Sequence, residues 1–345
     1  MDRSEVKRLT HYNYHASTLR LTQSSNPLKQ PFHDPWDSLV SSNDINEAIV
    51  EEYGYSFSDL FTCVMSMIAF GNTLETEVKQ ADITEIIKFI PDVKEETIRQ
   101  IISDLCNVQR SDYLQPPKPF SKNDVYPWRF NRRLAFIRRP VIRFENNIIW
   151  GNRQLFHNLL YLTELIKEGK LTASKGKLKM LMSKMANKLG NDFNTAVAQR
   201  IESLGFSMVF TKVNKINHNK IESKPGYALG DIDVLLINPQ KHKIVVIEVK
   251  EFSFSKTPYE IHREYLKLFC DTDKEICYIT KHKRRVQWIK EHISDLILHY
   301  GLDDGKWEVS DALIVNQPIV CNDFYHRNQR ILLYSELSSQ IINNL

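Results

Sequence analysis

The stretch GDIDVLLINPQKHKIVVIEVK, residues 230–250, decides the fold. Asp231 and Asp233 stand ahead of an apolar run. A Pro-Gln-Lys turn follows, and a second apolar run ends in Glu248-Val249-Lys250. Side chains alternate faces along a strand, so Asp231 and Asp233 share one face of the first strand, and Glu248 and Lys250 one face of the second. Paired as a hairpin, the two runs bring two or three carboxylates and one ammonium to one rim. Oxygen donors in that grouping suit a divalent cation, with a lysine beside it for a nucleophile or for developing charge.

Working outward, NDFNTAVAQRIESLGF (191–206) has the apolar spacing of an amphipathic helix and leads into a strand, MVFTKV (208–213). After the hairpin come helical patterns in PYEIHREYLKLF (258–269) and KRRVQWIKEHISDLILHYG (283–301), then strands in EVSDALIVN (308–316) and RILLYSEL (330–337). Helices before and after a central sheet indicate an α/β domain over residues 185–345, a mixed sheet flanked by helices. A mainly α-helical N-terminal domain precedes it. The lysine-rich KLTASKGKLKMLMSKMANKLG (170–190) reads as a separate helix with a solvated face.

The front of the chain reads differently. Residues 1–46 carry Pro, Ser, Asn and Asp in loop-like density. Residues 47–128 form a helical accessory domain, with two helices separated near Gly54, and Asp82 opens another, with Glu85 at capping-box spacing. The helix-turn-helix order at 82–108 resembles a winged-helix unit, but its second helix has no basic face, and an ordinary helical hairpin is the favoured reading. Residues 129–184 form a basic hairpin and helical connector. There, six arginines from Arg129 to Arg143 interleave with Phe130, Phe136 and Phe144, and VIRFENNIIWG turns on Asn146-Asn147. These arginines either contact phosphates or pair with the acidic front of the chain.

Charge is unevenly distributed. Residues 1–128 hold 12 Lys/Arg against 19 Asp/Glu, which leaves 34 against 23 for the rest and a net charge of +4. A polyanion would meet the basic back half, and the acidic half is the surface for a protein partner or a second copy. No apolar run is long enough to span a bilayer, and the N-terminus lacks a signal-peptide core, so a cytoplasmic location is expected. The five cysteines include no C-x-x-C pair, which argues against disulfides and structural zinc; Cys270 and Cys277 read as core residues. No G-x-x-x-x-G-K-[ST] loop and no G-x-S-x-G elbow is present.

Gly-Asp-Ile-Asp followed by Ile-Glu-Val-Lys resembles the PD-(D/E)XK, or restriction-endonuclease-like, nuclease superfamily over roughly residues 185–335. The flanking apolar strands and the amphipathic helix upstream strengthen the likeness. The resemblance implies a Mg²⁺-dependent endonuclease acting on DNA, with Mn²⁺ able to substitute, of the kind found in bacterial anti-phage or restriction systems. It implies that Asp233 and Glu248 bind the metal together with the backbone carbonyl of Val249, and that Lys250 orients the attacking water and steadies the charge at phosphorus. Asp231 is a supplementary metal ligand or a solvent-facing residue. Asn194 occupies the position where this superfamily often has a helix Glu, and Glu202 lies on a nearby face as a substitute. Lys256, Arg263, Arg138 and Arg139 are the nucleic-acid-binding candidates. His262 and His282 are read as surface or core residues, and the basic run 281–285, like the lysines of 170–188, as a solvated face whose sign fits phosphate contact. The alternatives are a nucleic-acid-binding or assembly module with an inactive nuclease fold, and an RNase using the same site.

Overall fold

The computed structural model describes residues 36–223, 229–273, 275–325 and 330–345. They fall into two compact units that meet in sequence between Lys188 and Leu189. The expected N-terminal loop lies outside the described residues as far as residue 35. From there it is replaced by helix α1 (Asp37–Val40) and the start of α2 (Asn43–Tyr53).

In the first unit, α2 ends at Gly54, whose φ of +86° lets the chain turn where a side chain would be strained. Helix α3 (Phe57–Thr73) starts with a capping box: Asp59 N–H donates to Ser56 Oγ at 2.9 Å, and Ser56 N–H donates to Asp59 Oδ2 at 3.0 Å. Strand β1 (Lys79–Asp82), α4 (Ile83–Phe89), α5 (Glu95–Leu105), β2 (Ile142–Phe144), β3 (Asn147–Trp150) and α6 (Asn152–Lys167) follow. The three strands pair in the order β1-β3-β2, all antiparallel. The favoured plain helical hairpin is therefore corrected. Helices α4 and α5 sit inside a winged-helix connectivity, missed because β1 is only four residues long and buries a single apolar side chain, Ala81. The exposed side of α5 carries Lys94, Glu95, Glu96, Arg99 and Gln100, a mixed-charge surface. The β2–β3 turn is Glu145-Asn146, one residue earlier than expected: Phe144 pairs with Asn147, and Glu145 takes the left-handed conformation at φ 53°. Asp82 caps α4 through Thr84 N–H at 2.7 Å rather than through a box with Glu85.

Helix α7 (Gly176–Ser203) is one continuous helix of 28 residues where two were expected, because Gly190 and its polar neighbours do not break a helix whose ends are otherwise compatible. The second unit continues with β4 (Met208–Val213), the two-residue strands β5 (Lys215–Ile216) and β6 (Asn219–Lys220), β7 (Ile232–Asn238) and β8 (Lys243–Lys250). Then come α8 (Pro258–Phe269), α9 (Tyr278–Glu291), α10 (Ile293–Tyr300), β9 (Glu308–Val315), α11 (Val320–Tyr325), β10 (Ile331–Leu333) and α12 (Ser339–Asn343). Its main sheet has the order β10-β9-β8-β7-β4; β4, β7 and β8 are antiparallel neighbours, while β8, β9 and β10 run parallel. This is the mixed sheet flanked by helices that the sequence predicts.

Both sheet faces are covered, which is why β7 and β8 read as unbroken apolar runs rather than as alternation. Val234, Leu236, Val245 and Ile247 pack under Val197, Ala198 and Ile201 of α7. Leu235, Ile237, Ile244 and Val246 pack under Val286, Trp288 and Ile289 of α9. Among the described residues no helix is long and apolar enough to cross a membrane. All five cysteines are free; Cys277 is buried and Cys270 half-buried.

Candidate hydrolytic site

The β7–β8 hairpin sets the geometry. Val234 lies opposite Ile247, so the register continues to place Asp233 against Glu248. Strand alternation then puts Asp233, Glu248 and Lys250 on the face that packs under α9. Lys250 Nζ lies 2.8 Å from Glu248 Oε1 and 3.4 Å from Asp233 Oδ2, so one ammonium bridges two carboxylates. Val249 N–H donates to Asp233 Oδ2 at 2.9 Å, fixing that carboxylate across the strand pair.

Helix α9 supplies what the hairpin alone does not. Its start is held by Asp271, which accepts from Cys277 N–H at 2.8 Å and from Thr280 Oγ1 at 3.1 Å. Helical spacing then puts His282 and Arg285 on one inward face. Arg285 Nη2 lies 2.6 Å from Glu248 Oε2, and His282 Nδ1 lies 3.7 Å from the same oxygen. Glu248 Oε2 is held by this ion pair, while Arg285 Nε and His282 Nε2 are buried without a hydrogen-bond partner. His282 also lies 3.6 Å from Asp311 Oδ2 on β9. Tyr278, at the start of α9, has its ring 5.3 Å from Lys250 Nζ.

These neighbours shift the acids in opposite directions. Burial, then the charge of Glu248, pushes the Asp233 carboxyl above its usual range, against the pull of Lys250. Burial would also raise Glu248, but Lys250 and Arg285 outweigh it and hold that carboxyl below the ordinary value. Burial disfavours the Lys250 ammonium, yet Glu248 and Asp233 more than offset it and raise its pKa. Glu248 is thus the committed anion and Asp233 the one more easily protonated.

The remaining sequence candidates divide. Asp231 is exposed, and its backbone carbonyl accepts a hydrogen bond from Arg285 Nη1 beside Gly230, whose φ of +83° makes the turn into β7. Asn194 reaches the site from α7, but as a donor: its Nδ2 gives a hydrogen bond to Asp233 Oδ1 at 3.2 Å. Glu202 is exposed near the end of α7. Lys256 and Arg263 are exposed, on the loop after β8 and on α8. Arg138 and Arg139 belong to the first unit, where Arg139 Nη1 donates to the carbonyls of Ser103 and Cys106 at the end of α5. The reading of residues 281–285 as a solvated face is corrected for Arg285, which is 7% exposed, while His282, read as surface or core, is a core residue at 2% exposed. The spacing 282, 285, 286, 289 was the available signal: it is one helical face, shared with Val286 and Ile289.

Asp233 and Glu248 offer carboxylate oxygens on neighbouring strands, the donor type a hard dication requires. A cation, the Lys250 ammonium, already stands between Glu248 Oε1 and Asp233 Oδ2, so the two carboxylates converge on one positive charge and the residues fit a metal there. Among the described residues no group of three His, Cys, Asp or Glu side chains is arranged to hold a metal ion, so a metal here would have to complete its shell with backbone oxygen, water or substrate.

No curated protein and no solved structure matches the chain. A family profile described as "Anti-phage protein Upx-like" matches residues 63–316, well over half of the chain. The matched span contains most of the helical unit and both strands that carry the Asp233, Glu248 and Lys250 group, and the chain belongs to the Upx-like family of anti-phage proteins.

Proposed function

We propose that this anti-phage protein is a divalent-cation-dependent nuclease of the PD-(D/E)XK type that hydrolyses phosphodiester bonds, with DNA as substrate. The observation that carries the reading is the bridging of Asp233 and Glu248 by Lys250 on adjacent strands. Asp233, Glu248 and the Val249 carbonyl would hold Mg²⁺ or Mn²⁺. When bound, such an ion acidifies a coordinated water and neutralises charge on the phosphate.

The residues have separable tasks. Arg285 and His282 hold Glu248 from beneath, so its carboxylate is oriented before substrate arrives. Lys250, on a flexible stem, sits where it can meet the negative charge that develops on phosphoryl oxygens. Charge balance adds a constraint. Two carboxylates already face two permanent cations, Lys250 and Arg285, so a dication makes the site positive until phosphates enter. Metal and nucleic acid should therefore bind cooperatively.

A second reading has its own observation. Asn194 caps Asp233 as a donor instead of adding a carboxylate, which favours a nuclease fold that binds nucleic acid without turnover. The deciding experiment incubates single- and double-stranded DNA and RNA with Mg²⁺, Mn²⁺ or EDTA, using the wild type and the Asp233→Ala and Lys250→Ala variants. Metal-dependent cleavage lost in both variants supports the site. Cleavage persisting in both would sink the assignment, binding without cleavage selects the second reading, and cleavage of RNA alone selects an RNase.

A further inference from the structure

The first unit contains a second concentration of charge that hydrolysis does not use. A cavity of about 270 Å³ opens between the end of α2, the end of α5, the connector around Phe120 and helix α6. Its apolar wall includes Ile49, Leu60, Leu162 and Ile166, and three guanidinium groups, Arg133, Arg138 and Arg139, line it together. Phe120 lies beneath two of them, with its ring centroid 5.0 Å from Arg133 Cζ and 5.2 Å from Arg139 Cζ. Tyr53 and Tyr55, also in the lining, stack at 5.9 Å with 25° between their planes.

The arginines are not equally engaged. Arg133 makes a bidentate pair with Asp124, both contacts 2.8 Å. Arg139 donates to two carbonyls and lies 4.0 Å from Asp104. Arg138 makes one 3.3 Å hydrogen bond to Asn131 Oδ1 and has no carboxylate partner among the described residues. With Arg133 neutralised by Asp124, Arg138 and Arg139 face two lining carboxylates: Asp104, 4.0 Å from Arg139, and Glu52, which is already committed to Ser174 and the Lys175 N–H at 2.5 to 2.8 Å. Burial, with Arg138 alongside, lowers the Arg139 pKa even against the pull of Asp104. Neighbouring guanidiniums in a half-enclosed apolar cavity are costly unless an anion joins them.

We propose that this cavity binds a mononucleotide, its phosphate against Arg138 and Arg139 and its base among Phe120, Tyr53 and Tyr55. The arginine fork matches phosphate geometry, and aromatic faces accept any base. The volume lies just below the usual range for ligand pockets and leaves room for a single nucleotide at most, not a longer segment. A free nucleotide and the 5′-phosphorylated end of a strand present the same chemistry. The site is independent of Asp233, Glu248 and Lys250, so it stands or falls apart from the hydrolytic reading.

The test is calorimetric titration of the full chain in EDTA with AMP, GMP, CMP and UMP, with adenosine, with inorganic phosphate, and with a 5′-phosphorylated oligonucleotide. At least one mononucleotide should bind with a Kd below about 1 mM. Adenosine and phosphate alone should bind at least about tenfold more weakly. Arg138→Gln should weaken nucleotide binding at least about tenfold, whereas Lys250→Ala should leave it unchanged. Oligonucleotide binding that is tighter and equally sensitive to Arg138→Gln identifies a strand end as the source; weaker binding identifies a free nucleotide. Failure of every nucleotide to bind overturns the proposal. So does full affinity in an Arg138→Gln protein that melts like the wild type. Should that variant not fold, Phe120→Leu is read against the same thresholds.

Discussion

Two charged clusters, one on the mixed sheet and one in the helical unit, are built from similar groups and differ in what holds them. On the sheet, Asp233, Glu248 and Lys250 come from adjacent strands, so the backbone ladder fixes their separation before any side chain acts. In the helical unit, Arg133, Arg138 and Arg139 come from an irregular segment, and each is held by whatever acceptor the fold brings near: Asp124, Asn131, or the end of α5. The sheet cluster keeps two buried nitrogens, Arg285 Nε and His282 Nε2, without a hydrogen-bond partner, whereas Arg133 and Asp124 satisfy each other through two aligned bonds. A regular scaffold can hold polar groups that do not satisfy one another, and such groups are what chemistry needs; an irregular segment depends on its polar contacts for its own shape.

The sharpest way to break this contrast is at Lys250. If the sheet cluster is catalytic, Lys250→Ala lowers cleavage per folded molecule by at least about a hundredfold, beyond whatever stability it loses by uncovering two buried carboxylates. A large loss of stability with unchanged cleavage per folded molecule would make the cluster structural instead.

Arg285→Met probes the support beneath it. Removing one cation from a nearly fully buried carboxylate should cost about 3 to 5 kcal/mol in urea unfolding. Adding Glu248→Gln should recover part of that loss. Additive losses in the double variant would mean that Arg285 acts through packing alone.

The helical unit should respond less strongly, and with pH. Asp124 has its pKa lowered to about 2: burial opposes ionisation, but the Arg133 hydrogen bonds prevail. Its folded pKa is depressed, so its contribution is present above the unfolded value near 3.8 and is lost as pH falls from about 4 to about 2. Asp124→Asn should cost about 1 to 2 kcal/mol at pH 7, allowing for solvent screening of Arg133, and progressively less as the pH falls to about 2 and below. Urea midpoints measured across that range check the convergence; a gap independent of pH would contradict it.

Ser56→Ala should have the smallest effect. Loss of the α3 capping box should remove about 1 kcal/mol, seen as a modest fall in melting temperature with no change at the sheet cluster.

What the sequence determined by itself was the hairpin and its chemistry. Two apolar runs separated by a short turn force strands, the period of two assigns faces, and the positions of Asp233, Glu248 and Lys250 follow from local geometry alone. The flanking helices were legible for a similar reason, through the spacing of apolar residues such as Ile98, Ile101, Ile102 and Leu105. Tertiary structure decided the rest. The winged-helix connectivity depends on β1 meeting β3 across some seventy residues, a pairing that four residues with one buried side chain do not announce. His282 and Arg285 sat in a basic run whose composition looked solvated, and only the docking of α9 against the sheet turned them toward Glu248. The partners of Arg133, Arg138 and Arg139 were equally hidden. In an irregular segment no backbone period assigns a face, so where a charged side chain points is settled by the long-range contacts that close the fold.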